Sequence, residues 1–175
     1  GIPIRTLALC EDACKLCEIC RRWANTGTKP AIKTRYALRF NQFVYGDSVF
    51  FEDGVLLFLV DESIRYTVVA VTEFRDFSTL AKALRRAWIA HYGPMAVLRT
   101  DQERALAHES FGVYCEMLGI RRDLIKAKDD HTALGILDRR VEIFRDMAPR
   151  LSDALRSDGI DIEMEDVAAE FQICV

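Results

Sequence analysis

Six apolar residues in a row, Val55-Leu-Leu-Phe-Leu-Val60, constrain this chain more than any other stretch. A strand with one wet face alternates apolar and polar residues. An unbroken run instead marks a strand buried on both faces, inside a sheet covered above and below. The segment before it, Phe43-Val-Tyr-Gly-Asp-Ser-Val-Phe-Phe51, is rich in β-branched and aromatic residues, and Glu52-Asp53-Gly54 between the two is a hairpin turn signal. Arg65–Glu73 reads as a third strand through Tyr66, Val68, Val69 and Val71.

Helical spacing follows the hairpin. From Ser78, read as an N-cap, Leu80, Leu84, Ala87 and Trp88 make one apolar face that stops near Gly93-Pro94. Met95–Leu98 is a short strand leading to Arg99-Thr100-Asp101. Ala105–Leu118 reads as one helix closed by Gly119, and Ile120–Ala127 as a fifth strand. A long helix is expected over Leu134–Leu155, with a break at Pro149, and a last acidic helix over Asp161–Phe171. The order β-β-β-α-β-α-β-α-α predicts an α/β fold, a mixed five-stranded sheet flanked by helices. Trp88, Phe50, Phe51 and Phe58 are expected in its core.

With 175 residues, half of them apolar and 29% charged, the chain has the make-up of a single globular domain with a short appendage. The run Val55–Val60 ends at Asp61, far short of the roughly 18 residues that cross a bilayer, so no membrane role is expected. Gly1-Ile-Pro-Ile-Arg5 has no initiator Met and no long apolar stretch of a signal peptide, and reads as part of a longer chain. Four of the six cysteines (10, 14, 17 and 20) crowd into eleven residues, unlike a secreted disulfide framework, and imply an intracellular setting. Charge is segregated. Residues 1–46 carry eight Lys/Arg against three acids, and residues 151–175 carry one Arg against seven acids. A basic front section suits a polyanionic partner, or is a solvated basic face.

Three aspartates stand out by position. Asp47 interrupts an apolar strand, where a carboxylate is costly unless paired or bound to metal. Asp101 sits just past the fourth strand, where ligands gather in open α/β sheets. Asp138 lies on the helix after the fifth strand, four residues before Glu142 and so on the same face. Hard oxygen donors from several elements suit Mg²⁺ or Mn²⁺ in phosphoryl transfer. Each aspartate also has a plainer reading: Asp47 satisfying backbone groups, Asp101 capping the next helix, Asp138 pairing with Arg139 or Arg140.

The words around these acids carry a resemblance. Phe43-Val-x-x-Asp47-x-x-Phe-Phe51 followed by Val60-Asp61-Glu62-x-x-Arg65-Tyr66 resembles the opening of the integrase catalytic core of retroviruses and retrotransposons. Trp88-x4-Gly93-Pro94-x3-Leu98-Arg99-Thr100-Asp101 is similar to that family's segment bearing its second Asp. Phe111-Gly-x3-Glu-x-Leu-Gly-Ile120 matches the next helix and strand, and His131-Thr-Ala-Leu-Gly-Ile-Leu-Asp138-Arg139 resembles its H-N-S-L-G-x-G-E-R motif. The match covers roughly residues 15–155.

The resemblance implies a ribonuclease H-like fold that binds Mg²⁺ or Mn²⁺ and catalyses 3′-end processing and strand transfer of DNA. Asp47, Asp101 and Asp138 take the catalytic metal positions, with 36 residues between the last two. Asp138 stands where the family has Glu, one methylene longer. That departure sets an active integrase core of a retroelement polyprotein against a decayed or repurposed domain that only binds nucleic acid or a protein partner. Cys17 and Cys20 lie where the family has the cysteine half of a His-His-Cys-Cys zinc module, ahead of Lys29-Pro30. No His precedes His91, so the zinc site is incomplete and needs a fuller N-terminal module. Cys10 and Cys14 completing a four-cysteine set, or Cys10, Cys14 and Cys17 packing on a helix face, are the alternatives. Lys126, Lys128, His131, Arg139 and Arg140 are candidate DNA contacts. The implied layout is a short helical, cysteine-containing remnant of the zinc module over 1–33, the core over 40–156 and an acidic extension over 157–175. The implied partners are DNA and further copies of the chain, acting in the nucleus.

Overall fold

Strands β1 (Phe43–Phe51) and β2 (Gly54–Asp61) form the expected hairpin, antiparallel, with Asp47 opposite Phe58. Strand β3 (Thr67–Thr72) pairs antiparallel with β2. On the other side, β4 (Val97–Asp101) runs parallel to β1, and β5 (Arg121–Ile125) runs parallel to β4. The order is β3-β2-β1-β4-β5, the mixed five-stranded sheet that the sequence predicts. This computed structural model describes residues 37–52, 54–102, 104–125, 135–160 and 162–174. The chain divides into two units, Gly1–Lys33 and Thr34–Val175. The first, with Cys10, Cys14, Cys17 and Cys20, lies outside the described residues. Among the described residues no helix is long and apolar enough to cross a membrane.

The apolar run of β2 is buried on both faces because each face has its own cover. Leu57 and Leu59 pack with Leu80, Leu84 and Trp88, which lie on the helical segment after β3, and with Phe111 and Cys115. Leu56, Phe58 and Val60 pack with Leu137, Val141 and Phe144 of helix α5 (Gly135–Ser157) and with Phe171 of α6 (Met164–Cys174). Phe144 is the hub of that second core: Phe51, Phe58 and Phe171 meet it edge-on at 5.2, 5.4 and 5.1 Å between ring centroids.

Four local expectations are corrected. Asp76, not Ser78, caps α1 (Phe77–Leu84); its carboxylate accepts the Ser78 and Thr79 backbone N–H groups at 2.9 and 3.2 Å, and a carboxylate complements the positive helix end better than a hydroxyl. A π-helical turn (Arg85–Ile89) and α2 (Ala90–Tyr92) complete that segment. The single helix expected over 105–118 is two, α3 (Arg104–Ala107) and α4 (Glu109–Met117). His108 between them is extended, and its ring Nδ1 accepts the Ser110 N–H, so a new helix starts there. Helix α5 runs through Pro149 unbroken. The lost backbone bond is outweighed by packing, since Phe144, Ala148 and Ser152 on the same face are buried. Phe50, expected in the core, is 61% exposed; its side of the sheet is uncovered there, and the Arg75 guanidinium lies 4.9 Å from its ring centre.

The Trp88…Gly93-Pro94 motif works through Asn41. The Trp88 indole N–H donates to Asn41 Oδ1 at 2.8 Å, while Asn41 Nδ2 donates to the carbonyls of Tyr92, Gly93 and Pro94. Asn41 holds a left-handed backbone, φ 65°, which asparagine adopts more readily than most residues. Its carbonyl accepts the Ala96 N–H, and that of Gln42 accepts the Val97 N–H. The joint therefore delivers β4 alongside β1. Asp61 does the same for the turn after β2: wholly buried, its carboxylate accepts the backbone N–H groups of Asn41, Ser63 and Ile64 and the Ser63 hydroxyl.

Candidate metal-binding site

The parallel pairing of β1 with β4 sets Tyr45 opposite Arg99 and Gly46 opposite Thr100, and ends there. Asp47 and Asp101 are each one residue further on, so they occupy the next rung of two adjacent strands. Both are half-buried. Tyr45 and Val49, the same-face neighbours of Asp47, are buried with Leu137 and Val141 of α5, so the acids project on the face that α5 covers. On the opposite face Gly46 leaves room for close packing: an added Cβ would meet Leu98 Cδ1 at 3.3 Å and Leu59 Cδ2 at 3.4 Å.

Asp138 lies in the first turn of α5. Desolvation, and after it the negative charge of Asp101, raise its carboxyl above the ordinary aspartate value. The structure thus relates the three acids in sequence: Asp47 beside Asp101 by strand register, Asp101 to Asp138 by charge. Carboxylate oxygens from strand and helix fit a hard divalent cation in kind. Among the described residues, however, no three His, Cys, Asp or Glu side chains gather closely enough to hold one ion together. Asp138 reaches one methylene less far than a glutamate would.

The other candidates distribute differently. Arg139 pairs with Glu142 at 2.6 Å on the surface. Arg140 turns inward and donates to the Arg65 carbonyl at 3.2 Å; desolvation and the nearby Arg65 lower its pKa. Lys126, Lys128, His131, Cys17 and Cys20 lie outside the described residues.

One group escaped the sequence reading. Arg99, two residues before Asp101 on the same face, donates to Tyr45 Oη at 3.1 Å, Glu62 Oε1 at 3.4 Å and Asp123 Oδ2 at 3.1 Å, with its guanidinium 4.3 Å from the Phe43 ring centre. Tyr45 donates to Glu62 Oε1 at 2.7 Å, and Glu62 Oε2 accepts the Ala37 N–H at 2.7 Å. Burial first, then the Glu62 hydrogen bond, push the Tyr45 phenol up to about 12, so it stays a donor at neutral pH. A charged residue in a short strand, two positions before Asp101, was the available signal.

Comparison with solved structures decides the fold. A chain of the simian T-cell lymphotropic virus intasome, solved in complex with PP2A regulatory subunit B56 gamma, matches with a TM-score of 0.71 and 22% identity, over 89% of this chain and 55% of that one. The fold is that of a retroviral integrase catalytic core. The HTLV-2 integrase catalytic core domain in complex with magnesium, in its dimeric form, matches at 0.65 with 14% identity over 77% of this chain and 86% of that one. The BIV integrase catalytic core domain matches at 0.63 with 14% identity, over 76% and 82%. This chain spans little more than half the length of the intasome chain. No protein-family model and no curated protein sequence matches it. In this integrase core fold the mixed sheet and its covering helices put the Asp47–Asp101 rung beneath the start of α5.

Proposed function

We propose that this chain is the integrase-like core of a retroelement polyprotein that performs metal-dependent 3′-end processing and strand transfer of DNA. The observation that carries this reading is the placement of Asp47 and Asp101 on one rung of two adjacent parallel strands, on the face covered by the helix that bears Asp138. Asp47 and Asp101 would hold the cation, Mg²⁺ or Mn²⁺, with Asp138 as the third and shortest arm. When bound, the ion supplies polarisation of a DNA phosphodiester and neutralises the charge that builds on it. The chain's own residues contribute position: β1 and β4 carry the two aspartates on one face, and α5 brings the third acid to that face. The structurally similar HTLV-2 core is described with magnesium and in a dimeric form, which supports the cation class and a homo-oligomeric assembly. The proposed assembly acts on DNA in the nucleus.

A second reading has its own observation. Asp138 replaces glutamate and no three-acid group is closed among the described residues, which favours a domain that binds nucleic acid or protein without cutting DNA. Nicking and strand transfer on short labelled duplex DNA with Mg²⁺ or Mn²⁺ separate the two. Metal-dependent product that disappears in Asp47→Asn supports the enzyme. Product from Asp138→Glu alone, gained by about 10²-fold, supports a core disabled by one misplaced carboxylate.

A further inference from the structure

The two strands that bear Asp47 and Asp101 part company at the rung where those acids sit. Pairing between β1 and β4 ends at Gly46 and Thr100. Beyond it β1 is held by β2, through Asp47 opposite Phe58, and β4 by β5, through Asp101 opposite Ile125. Among the described residues the backbone ladder does not join the two acids directly. The same-face rung below does have a fixing device, the hydrogen bond from the Arg99 guanidinium to the Tyr45 hydroxyl.

We propose that Arg99 is a positioning residue for the acid rung, a strut that sets the separation of Asp47 and Asp101 and thereby the affinity of that rung for a divalent cation. Its fork spans three strands: Tyr45 on β1, its own β4 and Asp123 on β5, with Glu62 at the end of β2 closing the group. Tyr45 is directly opposed to Arg99 by register, and so is Asp123. Charge does not set the strut against a cation. Glu62 and Asp123 are two carboxylates around one guanidinium, so the group as a whole is anionic. The guanidinium is held in place by the Phe43 ring beneath it and by the buried Tyr45–Glu62 hydrogen bond. Lysine would bring one ammonium instead of a planar fork and cannot serve three acceptors in this geometry.

This role rests on the proposed reading of Asp47 and Asp101 as cation ligands, and the test keeps the two apart. Mn²⁺ binding is followed by the free-ion electron paramagnetic resonance signal, on the full chain, beside thermal melting of each variant. The parent chain is expected to bind Mn²⁺ and Asp47→Asn to lose it. Arg99→Met is expected to bind about tenfold more weakly or worse, as orienting partners of metal ligands generally do on removal, and Arg99→Lys to recover little. Tyr45→Phe removes the strap between β1 and β4 together with the Tyr45–Glu62 hydrogen bond that steadies it. It is expected to weaken binding about tenfold, whereas Asp123→Asn, which cuts the half-exposed link to β5, moves it less than twofold. Equal Mn²⁺ binding by the parent and Asp47→Asn overturns the ligand reading and the strut with it. Loss in Asp47→Asn with parent-like binding by folded Tyr45→Phe overturns the strut alone, and so does equal weakening by Tyr45→Phe and Asp123→Asn.

Discussion

Asp101 at the end of β4 and Asp138 at the start of α5 are electrostatic neighbours: partial desolvation, and then the charge of Asp101, lift the Asp138 carboxyl above its ordinary value. An acid whose carboxyl is raised by folding holds its proton more tightly in the folded chain than in the unfolded one. Stability therefore falls as pH climbs from the ordinary aspartate value of 3.8 through the raised folded value, and Asp138 contributes no further slope above it. Asp138→Asn is expected to melt slightly higher than the parent at neutral pH, by under about 1 kcal/mol because the site is largely solvated. The gain should vanish below the ordinary aspartate value and shrink with added salt. Melting curves across pH, with and without divalent cation, read this directly, and a lower melting point for Asp138→Asn at neutral pH contradicts it.

Asn41 joins the start of β1 to the end of α2 and to the indole of Trp88. Asn41→Ala removes three donated bonds, leaves the buried indole N–H without its acceptor, and places alanine at φ 65°. A loss of about 2–4 kcal/mol is expected from the orphaned donor and the backbone strain together. Asn41→Gly keeps the backbone relaxed and should recover part of it. Urea denaturation of the pair separates the two contributions; identical midpoints for Ala and Gly would show that backbone conformation plays no part.

Phe144 stands between two strands and α6, so its truncation should act on all three. Phe144→Ala is expected to cost about 3–5 kcal/mol, with Phe144→Leu well below that. Chemical denaturation measures the difference, and a cost under about 1 kcal/mol would mean that the second core closes around the gap.

Cys115 lies wholly buried on α4, and desolvation pushes its thiol up to about 11. Iodoacetamide at pH 8 should leave this position unmodified in the folded chain and alkylate it once urea is added. Peptide mapping by mass spectrometry checks it, and rapid native labelling at Cys115 would refute the burial.

Much of the sheet was legible because its signals are local. The unbroken run at Val55–Val60, the β-branched and aromatic residues of Phe43–Phe51 and the turn residues after them mark a hairpin and a doubly covered strand before any contact is known. Asp47 could be placed inside the first strand, and Asp101 just past the fourth, for the same reason. The Arg99 group was not legible, because its partners come from β1, the end of β2 and β5, and no local period links residues 45, 62, 99 and 123. Phe50 was misjudged because apolar character marks a strand but does not say where the covering helices stop. Pro149 was misread by a rule that holds for isolated helices and yields where a buried face of Phe144, Ala148 and Ser152 holds the helix in place.

The outer strands of the described sheet differ in character. β5 carries Arg121, Arg122 and Asp123, charges that discourage another strand from docking alongside it. β3 reads Thr-Val-Val-Ala-Val-Thr, apolar and uncharged over its six residues, the kind of segment that templates fibrils when bared. Its protection comes from α6, whose Val167, Ala168 and Phe171 pack in one core with Val69. The acidic C-terminal helix is therefore expected to shield one face of this strand, and proteolytic trimming of this chain after Ser157 should first be noticed as turbidity.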